Sequence, residues 1–321
     1  MMTVKQVYEL GLKLGIDADP RGKKGVQQYL ENTKKQYEDL PAKEKKYFDK
    51  NKLTNPYADS HVHVDDTKTQ VKRVMAGIDI SGSEILLASQ LDERKKPIDL
   101  VIAHHPVGKA FADLHNVMDM QIEMYEQAGV PVHVAEKLME SRMEEVGRGV
   151  HPINHYRVVH MAELLGVNLI NTHTFTDNLV ADFLTKLFKK KKPNTLGDIV
   201  DILMEIPEYQ EAKRQGAGPN IAVGKPSSKI GKYIFEMTGG TESGDKIYNE
   251  LSNHGLSTVI SMHMREPSHK AAGESNMNVV IAGHISSDSL GMNLFMDELE
   301  KKGIDVLTCG GLIRVNRNKK K

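Results

Sequence analysis

Residues 99–108 read DLVIAHHPVG: an apolar run, Leu100-Val101-Ile102-Ala103, delivers two adjacent histidines, His104 and His105, and stops at Pro106. Two further runs end the same way, VNLINTH at His173 and NVVIAGH at His284. Both of these endings are followed four residues on by an aspartate, in H-T-F-T-D (Asp177) and H-I-S-S-D (Asp288). A single strand-terminal histidine is ordinarily a hydrogen-bonded rim residue, and an aspartate at a helix start is ordinarily an N-cap. Three coincident endings with two carboxylates point instead to a metal site. Imidazoles and carboxylates without thiolates suit Zn, Fe, Mn or Ni. Four histidines and two aspartates exceed the ligands that one catalytic ion takes. A pair of ions about 3.5–4 Å apart, bridged by a carboxylate, would use them all. Neighbouring side chains on an extended strand diverge, so His104 and His105 are awkward for one ion and well suited to two.

Such residues must be positioned by alternating strands and helices. VMAGIDI (74–80) reads as a strand, Ser81 or Ser83 as the cap of a helix through EILLASQL, and DLVIAHH (99–105) as the next strand. That is one βαβ unit, the signature of a parallel sheet. VNLINTH (167–173) is the third strand, with a helix from Asp177; strands STVISMH (257–263), NVVIAGH (278–284) and DVLTCG (305–310) follow. A helix from about Ser287 to Lys302 separates the last two. Sites in open α/β sheets lie outside the carboxyl ends of the strands, so the histidines are expected along one sheet edge. Four segments are expected: a helical lead-in over 1–70, with Thr3 capping the first helix; a first α/β lobe over 71–194 with a helical insertion at 111–150; a second lobe over 195–275; and a C-terminal strand-helix-strand over 276–321 returning to the first lobe.

Composition narrows the function classes. With 39% apolar and 27% charged residues and a formal net charge of zero, the chain reads as globular, and neither nucleic acid nor an acidic membrane is indicated as a partner. The one cysteine, Cys309, cannot form an intramolecular disulfide or a thiolate metal site. No apolar stretch approaches the roughly 20 residues that span a bilayer, and no signal-peptide core is visible. The expected location is cytoplasmic.

GIDI with DLVIAHHPVG, then THTFTDN, then AGHISSDSLG form an ordered triple that resembles the NIF-three-like dinuclear-metal proteins, some of which are labelled GTP cyclohydrolase type two by homology. The resemblance covers roughly residues 55–110, 155–185 and 225–315. It implies an α/β NIF-three-like fold of open, mostly parallel sheets flanked by helices, with the metal site at strand C-terminal ends. It places two divalent metal ions on His104, His105, Asp177, His284 and Asp288. His173 matches a site-lining histidine, and His269 in EPSHKAA aligns with a further one; these two are the expected catalytic proton carriers. Asp288 stands where the family has glutamate, one methylene longer. The implied activity is that of a metal-dependent hydrolase acting on a small molecule, with cyclohydrolase-like attack on a nucleotide, or hydrolysis of a phosphoester, as versions of it. The implied assembly is a ring-like homo-oligomer such as a hexamer. A non-catalytic metal-binding or assembly protein would use the same ligands.

Two other stretches compete. ADSHVHVDD (58–66) resembles the first-strand metal motif of amidohydrolase and phosphoesterase barrels, with His61 and His63 as its ligands, but Pro56 precedes it and the chain lacks an eightfold βα rhythm. MTGGTESGDK (237–246) is a Gly-rich turn that either cradles a phosphate or simply joins a strand to a helix. The remaining histidines, His263 among them, have no carboxylate at an informative spacing and read as surface or core residues.

Overall fold

The computed structural model describes residues 1–318. Eleven strands follow in chain order: β1 Met2–Thr3, β2 Ser60–Val64, β3 Gln70–Val71, β4 Arg73–Gly77, β5 Leu100–Ala103, β6 Leu169–Thr172, β7 Asn220–Val223, β8 Lys232–Glu236, β9 Leu256–Ser261, β10 Asn278–Ile281 and β11 Asp305–Cys309. They form a five-stranded sheet in the order β11-β4-β5-β6-β2, a four-stranded sheet in the order β7-β10-β9-β8, and the small pair β1-β3. In the first sheet β11, β4, β5 and β6 run parallel and β2 is antiparallel at the edge. In the second, β8, β9 and β10 run parallel and β7 is the antiparallel edge. Both sheets are open, so the barrel built on His61 and His63 does not form.

The continuous apolar runs have a simple cause: parallel strands are covered on both faces. Val74, Ala76, Leu100 and Ile102 face one layer of helices, and Met75, Val101 and Leu169 face Ile85 and Val159 on the other side. The helices His173–Lys191 and His284–Lys301 lie between the two sheets. Phe175 and Phe295 pack under the first sheet, whereas Leu184 and Leu290 pack with Ile260 and Val280 of the second. At the crossing of these two helices Gly291 is obligatory, because a Cβ there would meet the Thr176 carbonyl oxygen and sit 2.9 Å from Val180 Cγ2. The close approach sets the first turns of both helices side by side.

Several sequence expectations are met. Thr3 caps Val4–Asp17 and Ser81 caps Gly82–Glu93, each through a capping box. Three arrangements differ. Strand β10 pairs with β9 and β7 in the second sheet, and only β11 of the C-terminal segment adds to the first. The expected single edge is therefore a junction: β5 and β6 reach it from one sheet and β10 from the other. Residues 111–150 are helical, but Tyr125, Ala135 and Met139 bury their apolar face against Tyr248, Val259 and Val279 of the second lobe. SHVHV is a true strand, zipped antiparallel onto β6. No helix among the described residues is long and apolar enough to cross a membrane.

Candidate metal centre

The strand ladder explains how adjacent histidines share one centre. Beyond the end of β5 the backbone stays extended, His104 N–H donating to the Gly77 carbonyl at 2.9 Å and His105 N–H to Ile78 at 3.0 Å. Successive side chains therefore point to opposite faces. His104 turns inward and is fully buried, and its Nδ1 lies 3.0 Å from Thr176 Oγ1. His105 turns toward the rim, with Nδ1 2.8 Å from Asp79 Oδ1.

Asp177 and Asp288 are not N-caps. The caps are Thr172 and Gly283, so each aspartate sits one full turn into its helix, on the face of the histidine that opens it. Gly283, at φ 114°, allows the turn from β10 into that helix; a Cβ there would lie 2.7 Å from Ser286 Oγ. Asp288 lies at the middle of the group. Its Oδ1 is 3.5 Å from His104 Nε2, and its Oδ2 is 3.4 Å from His105 Nε2 and 3.3 Å from His284 Nε2. Asp177 Oδ1 lies 3.5 Å from the same His104 nitrogen. Among the described residues, three overlapping groups could hold a metal ion: His104-Asp177-Asp288, His105-His284-Asp288 and His104-His105-His173. The short aspartate reaches all three imidazoles because Gly291, three residues on, lets its helix lie against Thr176.

The donor set fits cations. His104 Nε2, Asp177 Oδ1 and both oxygens of Asp288 are buried without a hydrogen-bond partner, an arrangement that costs folding free energy unless something fills it. Burial, helped by the neighbouring carboxylates Asp288 and Asp59, pushes Asp177 well above the usual carboxylate range. Asp288 goes the other way: burial is outweighed by His104, His105 and His284, which hold it far below that range. For His105, burial is outweighed by Asp288 and Asp79, which raise it to about 10, whereas burial dominates at His104 and lowers it to about 4.

Around this group lies a cavity of about 50 Å³ whose lining includes His173, Asp177, Asp288, His284, His263 and Glu236. That is room for a few waters or for the reacting end of a substrate. His173 is oriented by Asp59, whose Oδ2 lies 2.7 Å from its Nδ1 and also accepts from Thr174 Oγ1 at 2.6 Å. Asp59 is the residue of the ADSHVHVDD stretch that reaches a histidine of the cavity. His61 instead bonds the Val62 carbonyl and faces Asp49, and His63 Nε2 is 2.8 Å from Asn171 Oδ1. His269 lies on the helix Glu266–Glu274 with Nε2 3.2 Å from the Ala222 carbonyl, and it does not line the cavity. The histidine that does is His263, its ring centroid 4.7 Å from that of His284. It ends the apolar run STVISMH, so the pattern that marks the other three was present here too.

The lead-in reaches the site through hydrogen bonds. Asn178 Oδ1 accepts from Thr238 Oγ1 on the cavity wall at 2.6 Å, and its Nδ2 donates to Tyr57 Oη at 3.0 Å. Tyr57 in turn donates to Asp19, which is paired with Arg21. The Gly-rich turn forms the opposite link. Gln121 of the insertion donates to the carbonyls of Gly239 and Thr241 at 2.8 and 2.7 Å. Glu236 and Glu242 line the same wall, and the helix after the turn has only seven residues, so this is a strand-to-helix connection unsuited to phosphate.

Two parallel-rich open sheets, joined by paired helices that hold a His/Asp centre between them, define a class of α/β protein with a candidate metal site at strand ends. The fold is the one that NIF3 superfamily proteins share. A NIF3 superfamily protein from Sphaerobacter thermophilus superposes with a TM-score of 0.74 at 25% identity, over 97% of this chain and 99% of that one. Reduced HcgD from Methanocaldococcus jannaschii shares the fold, with a TM-score of 0.50 and 16% identity over 77% of this chain and 87% of its own. No family model and no curated relative matches the sequence.

Proposed function

We propose that the chain is a dinuclear divalent-metal protein working as a metal-dependent hydrolase. The observation that carries this reading is Asp288, whose two buried, unpartnered oxygens face two different donor groups. His104 and Asp177 complete one ligand set and His105 and His284 the other, with Asp288 bridging. Each set offers three protein donors, the number at which a catalytic ion keeps an open position. Two bound ions would lower the pKa of a coordinated water and polarise the electrophilic centre of the substrate.

The chain's own residues supply the rest. Asp79 and Thr176 fix the rings of His105 and His104 through their Nδ1 atoms, leaving Nε2 of each to face the centre. Asp59 holds Nδ1 of His173, so that Nε2 of this imidazole is free to take a proton from the attacking water. The group formed by His104, His105 and His173 is the weaker ligand set, since it leaves the oxygens of Asp288 unused.

Elemental analysis of the purified chain with turnover of a nucleotide and phosphoester panel tests the proposal. Close to two ions per chain and metal-dependent release of product are expected. A full metal complement with no turnover across the panel, and with freely exchanging metal, would identify a binding or assembly protein instead.

A further inference from the structure

Glu236 ends β8, at the carboxyl edge of the second sheet, and lines the same cavity as Asp177 and Asp288. Carboxylates withdrawn from water are normally paired with a cation, and the half-buried Glu236 is not. Its partners are three neutral hydroxyls: Tyr125 on the insertion at 2.9 Å, Tyr248 on the following helix at 3.1 Å, and Ser243 on the Gly-rich turn at 3.4 Å. The nearby charges are committed elsewhere. Glu242 is held by Arg265 and by Ser268, and Arg142 donates to the Glu242 carbonyl and pairs with Glu145. His263 on the same wall is held below its ordinary value, chiefly by burial. Among the described residues, nothing within this shell neutralises a charge on Glu236.

We propose that Glu236 is the catalytic acid of this cavity, protonating the leaving atom of a substrate whose electrophilic centre sits at the His/Asp group. This inference rests on the hydrolase reading above. The bond to the leaving oxygen or nitrogen breaks as its electron pair takes the Glu236 proton, and a bond forms to the oxygen of one water. The proton lost by that water passes to His173 and returns through solvent to Glu236, so one water is consumed and no redox partner is needed. The substrate class follows: a compound whose leaving group is a poor one, such as an alkoxide, amine or ring nitrogen. Burial, opposed by hydrogen bonds from Tyr125 and Tyr248, raises Glu236 to about 7, so the acid form is present at neutral pH.

The test compares the manganese-loaded full chain with Glu236→Gln on two phosphodiesters, one with a phenyl and one with a 4-nitrophenyl leaving group. The metal content of each preparation is measured alongside. The expected result is a loss of about 100-fold or more in kcat for the phenyl diester, a much smaller loss for the nitrophenyl one, and unchanged metal content. Equal losses on both, or none on either, overturn the assignment. Infrared difference spectra of wild type minus Glu236→Gln give a second reading that needs no substrate. A carboxylic acid band present at pH 6 and lost as pH passes about 7 supports the proposal. A carboxyl already ionised at pH 6 refutes it. If Glu236→Gln does not fold, Tyr125→Phe should move the wild-type titration upward, and an unmoved titration counts against the proposal. Two metals bound with neither diester turned over would refute the hydrolase reading for such substrates, and the infrared result then decides the state of Glu236.

Discussion

Glu236 also gives a stability prediction that is independent of metal and substrate. Its carboxyl is half-buried among Tyr125, Tyr248 and Ser243 without a cation, and desolvation lifts it from 4.5 to about 7. A folded-state pKa above the unfolded value means that the native state binds the proton more tightly. Stability from this group is therefore full below pH 4.5 and falls as pH rises through about 7. At about 1.36 kcal/mol per pH unit, that interval corresponds to about 3 kcal/mol. Glutamine keeps the shape and most of the hydrogen bonds but cannot ionise. Urea unfolding of wild type and Glu236→Gln at a series of pH values from 4.5 to 8.5 measures the difference directly, because every other titrating group is common to both. The stability of the variant relative to wild type should rise across this range by about 3 kcal/mol and level off above pH 8. A difference that stays flat, or that falls with pH, would refute the picture of an unpaired half-buried carboxyl.

Two further substitutions test how the site is held. Gly291→Ala places a methyl group against the Thr176 carbonyl and Val180 at the crossing of the ligand-bearing helices; it should cost about 1–3 kcal/mol in chemical denaturation and weaken metal retention with it. Asp59→Asn removes the charge that orients His173 through Nδ1. It should lower kcat about 10- to 100-fold while the metal content stays at the wild-type level, and a loss of metal would make His173 a ligand.

Much of this arrangement was legible in the sequence. The strand runs ending in histidine survive as β5, β6 and β10, and the capping boxes at Thr3 and Ser81 set their helices where the pattern put them. What periodicity could not show was partnership between sheets. An apolar run such as NVVI reads alike in either sheet, and its pairing with β9 is decided by tertiary packing. The Met- and Glu-rich insertion likewise shows an apolar face without naming what covers it, so Tyr125 and Gln121 could not be assigned to the site. Strand β2 was obscured by its own chemistry: SHVHV alternates histidine with valine, which invites a metal motif, while the structure uses the preceding Asp59. His269 lies outside the cavity and His263 lines it, for opposite reasons of pattern. The first rests on the family resemblance alone, with no strand ending or aspartate beside it, and the second ends an apolar strand but lacks the aspartate four residues on.

In the proposed centre Asp288 would bridge two ions, each held by its own pair of side chains. Metal content per chain, measured on wild type, Asp177→Ala, His284→Ala and Asp288→Ala after identical loading, tests it most directly. Wild type should hold about two ions, each of the first two variants about one, and Asp288→Ala close to none, since both sets share its carboxylate. A full complement in Asp177→Ala, or an Asp288→Ala variant that still binds two, would contradict it.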